Sequence, residues 1–392
     1  AAERAARDSY GRLLAFLAAR TGDIGLAEDA LADAFAKALV DWPLRGVPDR
    51  PEAWLLTVAR NRMTDRQRHV ARFHADKEVP DMAAPDKADV PDQRLELLMV
   101  CAHPAIARDL HTPLMLQTVL GVEAQVIARL FMVSPTALTK RLGRAKAKVR
   151  DARIPFALPG PEALPGRADA IREAIYGVHT VDWLAPSDGL GEEALYLADL
   201  LVRLLPEDAE VAGLAALIAF GHARSAARVV EGVLVPTPEQ DVALWDDGLR
   251  AYGDRQLARA FARGAPGRFQ IEAAIQQVHM ARKDSGVTDW DALNRLYHAL
   301  IGLAPSAGAL VAQAVVTARV HGPRAGLDAL ARLAPDVGAQ MQALWAARAD
   351  LLAELGDVAR AQQAYDKAVS LAPDPPLAAF LKARAAALPI AD

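Results

Sequence analysis

The chain has 392 residues, 52% of them hydrophobic and 24% charged, with a formal net charge of −4. This is the composition of an ordinary globular protein long enough for more than one domain. It excludes a polycation, so any nucleic-acid surface has to be local and balanced by acid elsewhere. The single cysteine, Cys101, excludes an internal disulfide and a cysteine-built zinc site.

No uncharged apolar run reaches bilayer length, and the opening AAERAARDSY lacks the pattern of a signal peptide, so a cytoplasmic chain is expected, with no membrane contact. Alternating strand patterns are scarce and alanine, leucine and arginine abundant, which predicts an all-α protein. Residues 1–72 read as a compact helical domain. Tyr10, Leu13, Leu14 and Leu17 form one stripe, and Thr21-Gly22-Asp23 breaks it and offers a cap. The next helix buries Leu26, Ala27, Ala30, Leu31, Ala34, Phe35 and Ala38 and turns Glu28, Asp29 and Asp33 outward. Those acids suit either a solvated face near a helix start or a partner surface. Trp42-Pro43 is expected to end this helix, and LRGVPDRP to form a loop.

A third helix is predicted after Pro51. Trp54, Leu55, Val58, Ala59 and Met63 face inward, and Arg60, Asn61, Arg62, Arg66, Arg68, His69 and Arg72 line the remainder. Such a basic helix beside a Trp/Pro loop can track a nucleic-acid strand. Residues 73–93 are polar, proline-containing and aperiodic, which predicts a flexible linker.

Helical pattern resumes at Leu95. From Leu114 onward, Val119, Val122, Val126, Ile127 and Leu130 carry the spacing of one buried helix face. Ser134-Pro135 then signals a new helix, with a hydroxyl for the cap and a ring preset for the first turn. That helix keeps a thin apolar stripe of Leu138, Leu142, Ala145 and Val149. Its other faces carry Lys140, Arg141, Arg144, Lys146, Lys148, Arg150 and Arg153 against Asp151 alone. Two short helices, the second this basic, suit a helix-turn-helix lying against DNA; a solvated basic helix is the plainer alternative.

Past Arg153, IPFALPGPEALPGR marks a boundary with four prolines and two glycines, and 154–392 is alanine- and leucine-rich helix without a basic run. The phrase Tyr365…Leu371-Ala372-Pro373 recurs as Tyr297…Leu303-Ala304-Pro305 and, with Leu327 for the tyrosine, as Leu333-Ala334-Pro335. Intervals of about 30–40 residues suit paired-helix repeats such as the tetratricopeptide repeat (TPR), which share their cores with neighbours. In the last copy Trp345, Leu352, Gly356, Ala361, Tyr365, Ala368 and Pro373 follow that pattern, with Gly356 at the turn. A generic bundle is the alternative.

No P-loop, dinucleotide fingerprint, HExxH or nucleophile elbow occurs. His103, His111, His179, His222, His279, His298 and His321 lie singly, and Cys101 reads as buried core. No catalytic residue, metal or cofactor is therefore expected, and the chain does not read as an enzyme.

Taken in order, AEDALADAFAKAL, RPEAWLLTVARNRMTDRQR and the segment ending TKRLGRAKAKVR resemble regions 2 and 4 of extracytoplasmic-function (ECF) sigma factors. IPFALP, RFQIEAAIQQVH from Arg268 and the repeat-like end resemble the subgroup with a long C-terminal TPR-type extension. The resemblance implies a region 2 domain at 1–72, a region 4 helix-turn-helix domain at 94–153 and a regulatory extension at 154–392. It implies core RNA polymerase and promoter DNA as partners, with a protein or ligand on the extension.

By the same resemblance, Glu28, Asp29 and Asp33 dock the polymerase. The loop Trp42–Pro48, with Trp42 and Arg45, lies at the −10 element, and Arg60, Asn61, Arg62 and Arg66 hold the adjacent strand or duplex. Ser134, Thr136, Ala137, Thr139, Lys140, Arg141, Arg144 and Lys148 face the −35 groove. The chain departs from the family in Val126 before Ile127, in the small Ala137 and Thr139, in a loop without a base-capturing asparagine, and in a weak aromatic segment at 174–183. A DNA-binding regulator that never engages polymerase, or a TPR adaptor, are the rival readings.

Overall fold

A computed structural model of the chain describes residues 2–71, 92–131, 133–160, 162–184, 190–264, 266–333 and 340–389, without the side chains of 2–8, 65–71, 130 and 182–184. The linker expected at 73–93 therefore lies outside the described residues, save Asp92 and Gln93. The chain divides into two compact units, and among the described residues it is all-α but for one hairpin of two two-residue strands. The first is Ala1–Thr180 with Ser187–Leu197; the second is Val181–Pro186 with Ala198–Asp392.

The first unit opens with α1 (Ala2–Thr21), α2 (Ile24–Arg45) and α3 (Pro51–Ala71). Leu13, Leu14, Phe16 and Leu17 of α1, Ile24, Ala27 and Leu31 of α2 and Leu55, Leu56 and Met63 of α3 are all buried, and the three helices pack on one another. Asp23 caps α2 by accepting from the Leu26 N–H at 3.0 Å. The helix does not stop at Trp42-Pro43. It runs through Pro43 and ends at Gly46, whose N–H still bonds the Trp42 carbonyl and whose φ of 85° turns the following chain out of the helix. Proline removes only one amide bond so near the end of a helix, and glycine at positive φ is the stronger stop. Glu52 at the start of α3 accepts from Ser9 and Arg12 of α1, closing the three-helix set.

The unit continues through α4 (Arg94–Cys101), α5 (Arg108–Thr118), α6 (Ala124–Leu130) and α7 (Pro135–Asp151). The stripe expected as one helix from Leu114 is two helices. Gly121, at φ 63°, breaks it between Val119 and Val122, and both valines stay buried in the connection. The α1 backbone and the connection after α5 approach so closely at Gly11 that an added Cβ would lie 2.0 Å from the Val119 carbonyl oxygen. Cys101 is fully buried with its Sγ 3.4 Å from the Thr118 hydroxyl, and burial pushes its thiol up to about 12. Alkylating reagents at pH 8 are expected to leave Cys101 untouched in the native chain and to modify it after denaturation. Modification at equal rates in both states would contradict this packing.

After α7, α8 (Leu164–Leu184) and the start of α9 (Leu190–Leu204) belong largely to the same unit. The sequence boundary after Arg153 thus falls within this unit, and the contacts part later. Arg167 of α8 donates to the Met99 carbonyl at 2.9 Å, and Gly177 faces Leu116. The buried Arg94 pairs with Asp92 and Glu193 and lies 4.6 Å from the Tyr196 ring centroid, while the Tyr196 hydroxyl donates to Asp92 at 2.7 Å.

In the second unit α10 (Ala209–Ala223) is buried nearly all round, as its apolar sequence demands. A short α11 (Ser225–Arg228) leads into the hairpin β1 (Val229–Val230) and β2 (Val233–Leu234), turned by Glu231 and Gly232 at φ 50° and 77°. Helices α12 (Asp247–Phe261) and α13 (Arg268–Met280) pack on α10. The Glu210 carboxylate accepts from the Phe269 and Gln270 N–H groups, meeting the positive end of α13. At Gly213 an added Cβ would sit 2.7 Å from the Gln270 backbone nitrogen. Gly213→Ala is therefore expected to cost about 1–3 kcal/mol by overpacking, read as a lower urea midpoint; an unchanged midpoint would contradict it.

The remaining helices are α14 (Arg282–Ser285), α15 (Trp290–Leu303), α16 (Ala307–His321), α17 (Pro323–Leu330), α18 (Gln342–Glu354), α19 (Val358–Ser370) and α20 (Pro375–Ala386). They share successive cores. One joins α13, α15 and α16 through Ile275, Leu293 and Val316; the next joins α16, α17 and α18 through Ala314, Leu330 and Leu351. A third joins α18, α19 and α20 through Leu352, Tyr365 and Leu381. Gly356 at φ 77° makes the expected turn, and Asp357 after it accepts from the Arg360 N–H to cap α19. In the repeated phrases Ala334 and Pro335 lie outside the described residues.

Candidate nucleic-acid interface

Helix α7 begins at Pro135, preset for the first turn, but the Ser134 hydroxyl makes no capping bond. Its apolar stripe of Leu138, Leu142, Ala145 and Val149 is buried, as the spacing predicts. The cations divide by face. Arg141 pairs with Asp109 of α5, Lys146 with Glu28 of α2, and Arg150 with Asp151 and, at 3.7 Å, with Asp23. Lys140, Arg144 and Lys148 stand one helical turn apart, exposed and without an ion-pair partner among the described residues. Ser134, Thr136, Ala137 and Thr139 are also exposed at the start of the helix, with the Thr139 hydroxyl turned back to the Pro135 carbonyl. A line of solvated cations beside small polar residues has the chemistry to follow a phosphate backbone.

On α3, Asn61 and Arg62 are exposed and Arg60 is half-buried. Arg62 Nε lies 3.8 Å from Asp33 Oδ2, so the basic face of α3 and the acidic face of α2 adjoin. Arg66 lies outside the residues whose side chains are described. Arg45 is exposed at the end of α2, amid the exposed apolar side chains Leu39, Val40, Leu44 and Val47. Trp42 differs from the expectation of a loop residue open to DNA. It is 5% exposed and meets the Trp54 ring edge to face, centroids 5.6 Å apart. Because α2 continues past Pro43, Trp42 remains on the helix's inner face and closes the core under the loop.

The three acids expected to dock a partner differ in setting. Asp29 and Asp33 are exposed, whereas Glu28 is mostly covered. Its two carboxylate oxygens accept from Lys146 Nζ at 2.7 and 2.6 Å, and the same ammonium donates to Gln117 Oε1 at 2.8 Å. Burial holds the Glu28 carboxyl above its usual range, although Lys146 pulls it down. The partnership of Lys146 with Glu28 left no mark in the sequence, where the two stand 118 residues apart and each sits on an ordinary polar position. Burial also pushes His279 down to about 4, which leaves it a neutral ring edge-on to Trp290. Among the described residues no group of three or more His, Cys, Asp or Glu is placed to hold a metal ion, and no helix is long and apolar enough to cross a membrane.

Residues 6–73 match sigma-70 region 2, residues 342–385 a tetratricopeptide repeat, and residues 167–261 a family of unknown function, DUF6596. An uncharacterized protein of Rhizobium meliloti (strain 1021) is 34% identical over 381 residues, covering 92% of this chain and 89% of the relative. No solved structure matches the chain.

Proposed function

Because the chain belongs to the sigma-70 family and ends in a tetratricopeptide repeat, we propose that it is a sigma factor of the extracytoplasmic-function type, directing core RNA polymerase to a restricted set of promoters. The observation that carries this reading is region 2 over 6–73, followed on the same chain by α7 with its outward cations. Region 2 implies binding to core polymerase. In this proposal Glu28, Asp29 and Asp33 form the polymerase face, and Arg45, Arg60, Asn61, Arg62 and Arg66 attend the −10 element. The segment 94–153 acts as region 4. Lys140, Arg144 and Lys148 hold phosphates at the −35 element, and Thr136, Ala137 and Thr139 are nearest the base edges. Their small size favours readout of duplex shape over base hydrogen bonds.

The repeat-bearing remainder is proposed as the regulatory part, offering stacked helices to a protein or ligand and acting in cis. Its site of action is then the cytoplasm. The test is co-elution with purified core polymerase on gel filtration at moderate salt. A stable complex is expected; a chain that elutes alone while still binding DNA would favour the rival regulator that never engages polymerase. Loss of both activities together, with the fold intact, would favour the adaptor.

A further inference from the structure

The surface of α7 that faces the protein carries the less expected chemistry. Lys146 and Glu28 face one another across the N-terminal part of α2, their side chains only 13% and 20% exposed. Around them Asp23, Gly25 and Asp29 on the α2 side and Gln117, Gly143 and Arg150 on the other line a cleft of about 420 Å³. Arg150 and Asp23 make a second, looser ionic contact at its end, 3.7 Å apart. One acid of the polymerase face and one cation of the basic helix are thus spent on each other.

We propose that the Lys146–Glu28 pair is a latch that holds α7 on α2 and keeps Glu28 from a partner until the latch is opened. The inference rests on the reading of α2 as the polymerase-facing helix, and extends it to how that face is controlled. Burying both charges in one pair withdraws them from water, and the geometry has to repay that desolvation. For Glu28 the repayment is incomplete, since burial still outweighs the pull of the ammonium and holds the carboxyl above its ordinary range. Both side chains keep some exposure, so a competitor can reach the latch. Two kinds of competitor suit it: a cationic protein surface for Glu28, and an anionic phosphate for Lys146. Either one releases the other half, so polymerase and promoter DNA promote each other's binding by the same factor. The neighbouring cleft leaves room for solvent or an entering group beside the pair. Asp29 and Asp33 stay exposed in the closed state, so a first encounter with polymerase does not need the latch to have opened.

The test uses the full chain with spin labels at exposed positions on α2 and directly after α7, through Ala36→Cys and Ala152→Cys, with the buried Cys101 left in place. A single narrow interlabel distance is expected for the otherwise unaltered chain. Lys146→Glu should lengthen and broaden it, and the exchanged pair Glu28→Lys with Lys146→Glu should restore it. An unchanged distance in Lys146→Glu overturns the latch, as does a failure of the exchanged pair to close when circular dichroism shows it folded.

The second readout is affinity for core polymerase. If the closed form holds about nine-tenths of the population, opening it raises apparent affinity about tenfold, and Lys146→Glu should show that gain. An open distance with unchanged or weaker polymerase binding also overturns the proposal. If no variant binds polymerase at all, the sigma-factor reading fails, while the distances still decide whether the latch exists.

Discussion

Replacing both exposed acids, Asp29→Lys with Asp33→Lys, is expected to weaken binding to core polymerase at least about 100-fold, about 2.7 kcal/mol or more. Both carboxylates are exposed on α2, on the outward face left by buried Ala27, Ala30, Leu31 and Ala34. Exposed acids on a helix add little to folding, because water screens them and their pairs are worth at most about 1 kcal/mol. Their removal should therefore spare the fold. Across an interface the same charges set encounter rate and register, and reversal converts attraction into repulsion. Asp33 also faces Arg62 at 3.8 Å, so lysine there would disturb α3 as well. Asp33→Asn separates the two effects: it removes the acid without placing like charges together, and should lose affinity less steeply. Affinity unchanged in the double reversal, with normal circular dichroism, would remove α2 as the polymerase face.

The second large effect is expected on α7. Alanine at Lys140, Arg144 and Lys148 together should weaken promoter DNA binding and flatten its salt dependence. Each phosphate contact contributes about 0.9 to the slope of log affinity against log salt, so three lost contacts lower its magnitude by about 2.7. Alanine is the strongest helix former, and these side chains have no ion-pair partner among the described residues, so thermal stability should hold. The matching control is Arg141→Ala, whose guanidinium is already paired with Asp109 and should alter the slope less. Equal slopes for the triple variant and the unaltered chain would mean that this face does not meet phosphates.

Much of this arrangement is legible in the residues, where local chemistry decides. The stripe Leu138, Leu142, Ala145 and Val149 is buried at helical spacing, Asp23 caps α2, Gly356 turns α18 into α19, and Cys101 is in the core. Elsewhere two local signals compete. Pro43 suggested a helix end, but the positive φ available to Gly46 three residues on ends it instead, and Trp42 moves from loop to core as a result. Gly121 likewise outranked a continuous apolar stripe, splitting it into α5 and α6. Other features were not legible because they depend on distant partners. The spacing of α7 marks Lys146 as one more solvated cation, and only the placement of α7 on α2 distinguishes it from Lys148. The proline-rich stretch after Arg153 suggests a boundary, while α8 and the start of α9 return to the first unit through Arg167 and Arg94. Prolines punctuate the helices there without separating the contacts.

The central claim is that this chain turns core RNA polymerase into a promoter-specific enzyme. Run-off transcription with purified core polymerase on a library of genomic promoter fragments tests it most directly, with the full chain and its Lys146→Glu variant in parallel. The account predicts discrete transcripts from a small set of fragments that share a −35 and −10 pattern, absent without the chain and drawn from the same fragments with the variant. No transcript from any fragment with either protein, while core polymerase remains active with another sigma factor, would contradict it.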